Sequence, residues 1–161
     1  MPTTCGCIII AENKLSKRIA SNYQTNYTRG YHRLLFTGTL APTTGVLEAI
    51  ALAKRLHHCD TNITLTIAGY CALESFYETL KEEIAKHTFI NLIGGNRLVP
   101  HETILHEINQ ADAGIIIYPP NESTECSIPT KLYEYLALRL PIVIKHNDES
   151  HNLVLQHEAG I

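Results

Sequence analysis

The chain has 161 residues, of which 45% are hydrophobic and 18% charged, and its formal net charge is -3. This length favours one main domain, and the composition excludes a disordered or fibrous protein. No apolar run approaches the roughly 18 residues that a membrane-spanning helix needs, and no basic face predicts nucleic-acid binding. The five scattered cysteines favour a reducing cytoplasm over a disulfide framework.

Short apolar runs rich in β-branched residues alternate along the chain with longer stretches of helical period. A first strand and helix, expected over 7–10 and 13–23, are followed by a polar segment that ends at Gly30. We therefore expect residues 1–31 to be the tail of a preceding domain plus a linker, and residues 32–161 to form a domain truncated at its C-terminus. Strands are expected in that domain at 34–37, 63–68, 89–93, 113–118 and 141–144. Helices are expected at 46–56, 73–86, 100–109, 129–138 and 150–157.

The expected strands are apolar almost throughout, which is typical of a parallel sheet buried on both faces. Their alternation with helices predicts right-handed βαβ units. The expected fold class is therefore α/β, a doubly wound, mostly parallel sheet with helices on both faces. Ligands of such sheets bind beyond the carboxyl ends of the strands, so the loops that follow each strand are the candidate binding site.

The loop from Gly38 to Gly45 follows a strand and opens a helix. Its spacing matches neither the dinucleotide-binding fingerprint nor the P-loop. Its small residues and the helix N-terminus still suit a phosphate, because free N–H groups there can donate to the phosphate oxygens. A tight βα turn without a ligand explains the same residues equally well.

A later loop leads into the helix that carries Lys131 and Glu134. These side chains are three residues apart and could simply pair on one helix face. Alternatively, Glu134 lies at the rim of the cleft, where its carboxylate can accept hydrogen bonds from both hydroxyls of a ribose. Lys131 and the N–H groups near 128–131 would then face a phosphate.

A resemblance to a known family rests mainly on the segment Ile128-Pro129-Thr130-Lys131-Leu132-Tyr133-Glu134-Tyr135-Leu136-Ala137. This segment resembles the donor-binding C-terminal half of GT-B glycosyltransferases of family 4, the group 1 glycosyltransferases. Weaker matches keep the family's order over roughly residues 33–161: Phe36 to Leu40 with Gly45 and Ala49, Ile67 to Gly69, Ile93-Gly94, Ala111 to Gly114, and Pro141 to Ile144.

The resemblance implies a Rossmann-like half of a GT-B fold whose substrate is a nucleotide-diphosphate sugar, with no metal and no other cofactor. The intact enzyme would be a retaining hexosyltransferase acting on a glycan or lipid-linked acceptor. A separate N-terminal domain would bind that acceptor and would provide any peripheral association with the inner face of the membrane. Without that domain, this chain would bind nucleotide but would not turn over.

The resemblance also implies roles for individual residues. Glu134 would hold the ribose, the loop from Gly94 to Val99 would receive the base, and the Gly38-Thr39 loop would face the diphosphate. The candidate donor-binding residues are Gly38, Thr39, Thr44, Gly94, Arg97, Val99, Ser127, Ile128, Pro129, Thr130, Lys131 and Glu134. The candidate catalytic residues are Glu125, Lys131 and Glu134.

The sequence departs from the family's pattern at its expected cations. Thr39 and Thr44 stand where the family usually carries an Arg and a Lys. Two charges that would stabilise the leaving diphosphate are therefore missing. Hydroxyl and backbone N–H groups could substitute, or Lys131 and Arg97 could supply the charge.

A second departure concerns an expected carboxylate. Many members have a Glu eight residues before the ribose Glu, and that position here is Cys126. The neighbouring Glu125 would serve in its place after a shift of one residue.

The nine histidines form no recognisable set of metal ligands. His101 and His106, for example, are five residues apart and do not share a helix face, so we expect both at the surface or at helix caps. His146 is an exception, because it follows a predicted strand and could reach the donor sugar. Asp148 and Glu149 in the same loop could do so too.

Three other functions remain open at this point. A non-catalytic interaction or regulatory domain is favoured by the two missing cations. A nucleotide-sugar 2-epimerase shares the GT-B architecture and would need an acid and a base carboxylate. An NAD-binding domain would lack its usual glycine fingerprint.

Overall fold

The computed structural model describes residues 32–119, 128–144 and 154–156. The strand and helix expected over 7–10 and 13–23 lie outside the described residues, together with the proposed tail and linker. Five candidate residues also lie outside them: Glu125, Ser127, His146, Asp148 and Glu149.

Strands and helices alternate through the described residues. The strands are β1 (Arg33–Thr39), β2 (Thr64–Tyr70), β3 (Ile90–Gly95), β4 (Ala113–Ile116) and β5 (Ile142–Ile144). The helices are α1 (Val46–Cys59), α2 (Glu74–Ala85), α3 (His101–Gln110) and α4 (Thr130–Ala137). Each of these elements was predicted, and its ends differ from the prediction by at most three residues. Residues 154–156, within the last predicted helix, are also helical.

The strands form one sheet in the order β3-β2-β1-β4-β5, and every pair of neighbours is parallel. The predicted α/β class is therefore confirmed, with a sheet that is parallel throughout the described residues. The chain runs outwards from β1 to β3 and then returns to the other side of β1 at β4. This reversal is a topological switch point, where a doubly wound sheet opens a crevice beyond its strand ends.

Side chains that alternate along β1 divide the core into two layers. Leu34 and Phe36 pack with residues of α1 and α2 on one face of the sheet. Leu35 packs with residues of α3 and α4 on the other face. Because two helices cover each face, the strands are apolar on both sides, as the sequence predicted.

Gly45 brings α1 close to the end of β4. It has φ +82°, a left-handed conformation that favours glycine, and a Cβ here would overlap the carbonyl oxygen of Ile117. The turn from 41 to 45 can therefore pass directly beside the crevice.

A buried carboxylate joins β1 to the start of β4 at the opposite end of the sheet. Asp112 Oδ2 accepts hydrogen bonds from the backbone N–H groups of His32 (3.1 Å) and Arg33 (2.9 Å). The Arg33 guanidinium donates to Oδ1 at 3.1 Å. Burial alone would raise the pKa of Asp112, but the bonds from Arg33 and His32 outweigh it and hold that pKa below its usual value.

No helix in the described part of the chain combines the length and the apolar composition needed to cross a bilayer.

Candidate functional site

A cavity of about 410 Å³ opens at the switch point, beyond the carboxyl ends of β1 and β4. Four segments line it: the end of β1, the start of α3, the residue Tyr118 after β4, and the start of α4. Parallel strands place all their carboxyl ends at one edge, which is why segments far apart in sequence meet here. The lining residues are Thr37, Gly38, Thr39, His101, Ile104, Tyr118, Ile128, Pro129, Thr130, Lys131 and Glu134.

Lys131 is the buried cation of this cavity, with a relative exposure of 7%. Its Nζ lies 3.8 Å from the centre of the Phe36 ring and 5.5 Å from that of Tyr118. Among the described residues, Nζ has no hydrogen-bond partner. Its long side chain passes Gly38, where a Cβ would lie 3.5 Å from the Lys131 Cε. Two aromatic rings therefore flank an ammonium group to which no described residue offers a hydrogen-bond acceptor.

Burial lowers the pKa of Lys131 to about 7, and the nearby charge of Glu134 only partly opposes this effect. The amine therefore changes between its neutral and charged forms near neutral pH. An anion in the cavity would favour the charged form, because opposite charges at close range stabilise each other.

Glu134 forms part of the cavity wall and is 8% exposed. Its Oε1 lies 2.8 Å from the Nε2 of His101. Glu134 is thus deeper than the rim position that the sequence suggested. Its hydrogen bond goes to α3 and not to Lys131 on its own helix, so the simple pairing of Lys131 with Glu134 does not form.

A buried hydrogen bond sets the position of α4 against β1. The hydroxyl groups of Tyr135 and Thr37 are 3.0 Å apart, and Tyr135 is fully buried. Burial raises the pKa of the Tyr135 phenol well above its usual range, so the group stays protonated and can donate. The Tyr135 ring packs over Gly114, where a Cβ would overlap it. These contacts orient the helix that carries Lys131 and Glu134.

The described candidate residues separate into two groups. The first group lines the cavity and comprises Gly38, Thr39, Ile128, Pro129, Thr130, Lys131 and Glu134. The second group lies outside the lining and comprises Thr44, Gly94, Arg97 and Val99.

Local contacts explain where the second group lies. The hydroxyl of Thr44 is engaged within its own turn, where it accepts from the Ala41 N–H (3.0 Å) and donates to the Ala41 carbonyl (2.9 Å). Gly94 lies near the end of β3 with φ +91°, and the side chain of Val99 packs against it. Arg97 is exposed on the same loop. Strand β3 lies two strands from β1, roughly 10 Å away at the usual strand spacing, so this loop flanks the cavity.

The sequence did not identify His101, Ile104, Tyr118 or Thr37 as lining residues. His101 was expected at the surface or at a helix cap, and it is indeed exposed at the start of α3, but its contact with Glu134 was not predicted. One signal could have found it, since His101 is the first residue of a helix that follows a strand-end loop. In a doubly wound sheet, such positions face the crevice.

No metal site is evident in the described ranges, because they contain no group of three or more His, Cys, Asp or Glu side chains that could hold an ion.

Comparison with known proteins gives no match by sequence and several by structure. No protein-family model and no curated protein matches the chain. A solved C-terminal domain of a group 1 family glycosyl transferase, LpcC from Francisella tularensis, superposes with a TM-score of 0.57 at 13% identity. That match covers 92% of this chain and 82% of the domain.

Two longer proteins match in the same way. An alpha,alpha-trehalose-phosphate synthase (UDP-forming) from Burkholderia vietnamiensis has a TM-score of 0.62 at 11% identity, covering 90% of this chain and 34% of that one. A putative UDP-N-acetylglucosamine 2-epimerase from Listeria monocytogenes has a TM-score of 0.57 at 11% identity, covering 87% and 36%. The chain spans about a third of the length of each. These likenesses establish the fold, which is a Rossmann-like half of the GT-B architecture.

Proposed function

We propose that this chain is the donor-binding half of a GT-B glycosyltransferase, resembling family 4. The intact enzyme would transfer a sugar, with retention and without a bound metal, from a nucleotide-diphosphate sugar to a glycan or lipid-linked acceptor held by a second domain. The observation that carries the proposal is the buried ammonium of Lys131, which lies in the switch-point cavity without a hydrogen-bond partner among the described residues.

A buried charge without a partner destabilises a fold, so an anion that pairs with the charged form of Lys131 would be stabilised in this cavity. A diphosphate fits, because it is anionic and α4 begins beside the same cavity, with no side-chain cap at its N-terminus among the described residues. Negative charge grows on the diphosphate as the donor sugar leaves. Lys131 would stabilise that charge in a site of low dielectric. In this role it replaces the cations that are absent at Thr39 and Thr44.

Glu134 would bind the ribose of the same ligand. It lies one helical turn beyond Lys131 on the same face of α4, since residues three apart are neighbours on a helix. An ionised carboxylate can accept hydrogen bonds from two adjacent hydroxyl groups. The ribose and the diphosphate of one nucleotide would thus be held by one helix, and the flanking Gly94–Val99 loop would receive the base.

The test is a calorimetric titration of the full chain with UDP, GDP, ADP and inorganic pyrophosphate. We expect one nucleoside diphosphate to bind, and pyrophosphate to bind more weakly. Lys131→Met should weaken both about 10- to 100-fold, as expected for a lost charged hydrogen bond. Glu134→Ala should weaken the nucleotide and leave pyrophosphate unchanged.

Lys81→Met is the matched control, because Lys81 is an exposed lysine of α2 that pairs with Glu78. It should leave every affinity unchanged. If the folded chain binds none of these ligands, the non-catalytic alternative takes precedence. A parallel titration with NADH tests the remaining alternative, because preferential binding of NADH would support a dinucleotide-binding domain.

A nucleotide-sugar 2-epimerase remains the second candidate, because the putative epimerase and the LpcC domain match this fold with the same TM-score. Epimerisation needs both an acid and a base. In the described part of the cavity, Glu134 is the only carboxylate, and it is paired with His101. Incubation with UDP-N-acetylglucosamine, followed by NMR of the sugar protons, separates the two functions: conversion to the C2 epimer would favour the epimerase.

A further inference from the structure

We propose that His101 is a positioning residue for the ribose. It holds the Glu134 carboxylate in the orientation that accepts the ribose hydroxyls, and it links this carboxylate to the loop that flanks the cavity. The inference rests on the proposed function, since it concerns the ribose of the nucleotide that the cavity would bind.

The contact between the two side chains is short, and the two differ strongly in their exposure to solvent. The distance from His101 Nε2 to Glu134 Oε1 is 2.8 Å, typical of a charge-assisted hydrogen bond. An ionised carboxylate can only accept, so a bond to it requires the form of His101 in which Nε2 carries the proton and donates. The His101 side chain is 51% exposed, whereas that of Glu134 is 11% exposed. The imidazole therefore lies at the mouth of the cavity and holds a carboxylate that lies inside it.

One bond from His101 leaves most of the acceptor capacity of Glu134 available. A carboxylate has about four acceptor positions on its two oxygens, and a ribose diol needs two of them. A glutamate side chain has several rotatable bonds, and ordering it at the moment of binding would cost affinity. Because His101 already orders Glu134 in the absence of a ligand, that cost is reduced.

The backbone at His101 is well placed for this role. His101 is the first residue of α3, and Leu105 and Ile108 of the same helix are buried in the core. The imidazole is therefore attached to a rigid element. The preceding residues, up to Pro100, form the loop that follows β3. The His101–Glu134 bond thus crosses the crevice from α3 to α4.

Lys131 and His101 would consequently serve different parts of one ligand. Lys131 is one turn earlier on α4, beside Gly38 and the end of β1. His101 acts on Glu134 from the start of α3. Removing Lys131 should affect every ligand with a diphosphate, whereas removing His101 should affect only ligands with ribose hydroxyls.

The experiment titrates the full chain with three probes: the best-binding nucleoside diphosphate of UDP, GDP and ADP, its 2′,3′-dideoxy counterpart, and inorganic pyrophosphate. The variants are His101→Ala, His101→Gln, which retains an N–H donor, and His106→Ala as a control. His106 is exposed on the same helix and lies outside the cavity lining.

We expect His101→Ala to weaken the ribonucleotide about tenfold, as for one charge-assisted hydrogen bond. The dideoxy nucleotide and pyrophosphate should change by less than about twofold, and unchanged pyrophosphate binding shows that the variant is folded. His101→Gln should recover most of the lost affinity, and His106→Ala should match the wild type.

Two results would overturn the inference while leaving the proposed function intact. One is wild-type affinity for the ribonucleotide in His101→Ala. The other is an equal loss for the ribonucleotide and its dideoxy counterpart, which would indicate a structural role or a contact with the base. A wild-type chain that binds no nucleoside diphosphate would overturn the proposed function as well.

Discussion

The two ends of the central strand β1 bury opposite charges under very different conditions. At the amino end, Asp112 is 3% exposed and accepts hydrogen bonds from two backbone N–H groups and from the Arg33 guanidinium. At the carboxyl end, Lys131 is 7% exposed and has no hydrogen-bond partner in the part of the chain that the structure describes.

The difference separates the end of the sheet that serves the fold from the end at which we propose that a ligand binds. A buried charge with its partners supplied by the chain holds segments together, as Asp112 joins β1 to β4. A buried charge without such partners lowers the stability of the fold, so keeping it must bring another benefit, such as the binding of a ligand. The cavity at Lys131 is where a ligand could supply the missing partner.

The largest change in stability is expected at the amino end of β1, where Asp112 has its hydrogen-bond partners. Asp112→Ala should lower the free energy of unfolding by about 3 kcal/mol, because it leaves buried N–H donors without an acceptor. Urea denaturation measures this loss. Asp60→Ala is the control: this carboxyl is exposed beside His32, and its removal should cost much less. Similar losses for the two variants would contradict the structural role of Asp112.

A gain in stability is expected at the carboxyl end of β1, when the charge of Lys131 is removed. Lys131→Met keeps the length of the side chain and removes the charge, so it should raise the free energy of unfolding at pH 6 by about 1–2 kcal/mol. A Lys131→Met chain that is less stable than the wild type at pH 6 would mean that the fold already satisfies this charge.

The pH dependence of that gain has a definite direction. The pKa of Lys131 falls from 10.5 in the unfolded chain to about 7 in the fold. Between these values the unfolded state binds the extra proton, so this group makes the wild type more stable as pH rises. The penalty is complete below pH 7, and the advantage of Lys131→Met should shrink as the pH approaches 10. Urea denaturation at pH 6, 8 and 10 measures the trend.

The smallest effect is expected for a charge that is paired at the surface. Glu83 of α2 accepts from Lys54 (2.9 Å) and Lys86 (2.8 Å), and the bonds from Lys86 and then Lys54 lower its pKa to about 2. The two lysines are 43% and 64% exposed, so water screens these pairs. Glu83→Gln should therefore cost less than about 1 kcal/mol at pH 7.

Because the pKa of Glu83 is lowered in the fold, its contribution is present above about pH 4.5 and is lost as the pH falls towards 2. Urea denaturation of Glu83→Gln and of a Glu82→Gln control at pH 7 and pH 3 measures the contribution of Glu83 to stability and its decrease at low pH. A cost for Glu83→Gln as large as that of Asp112→Ala would remove the distinction between buried and exposed pairs.

Much of the fold could be predicted because its signals are local. Runs such as Ile142 to Ile144 are apolar and β-branched, which favours buried strands. Pro100 and Pro129 immediately precede helices, as predicted from their preference for helix starts. Local patterns also placed Lys131 and Glu134 on one helix face.

Prediction of the site was weaker where a local bond competed with the expected role. The sequence made Thr44 a donor-binding candidate, but its hydroxyl is engaged with Ala41 in its own turn. Short polar side chains commonly bond to nearby backbone in this way. This competition could not be predicted from the sequence, because both uses need the same residue type.

The alternation of strands and helices along the chain, the parallel sheet and the helix that carries Lys131 and Glu134 could therefore be predicted from the sequence. The bond from His101 to Glu134, 33 residues away, and the burial of Lys131 against Phe36 became visible only in the folded structure. Secondary structure depends on neighbours in the chain, whereas burial and pairing depend on which helices cover the same end of the sheet. For that reason the change in the pKa of Lys131, which follows from its burial, could not be predicted from the sequence alone.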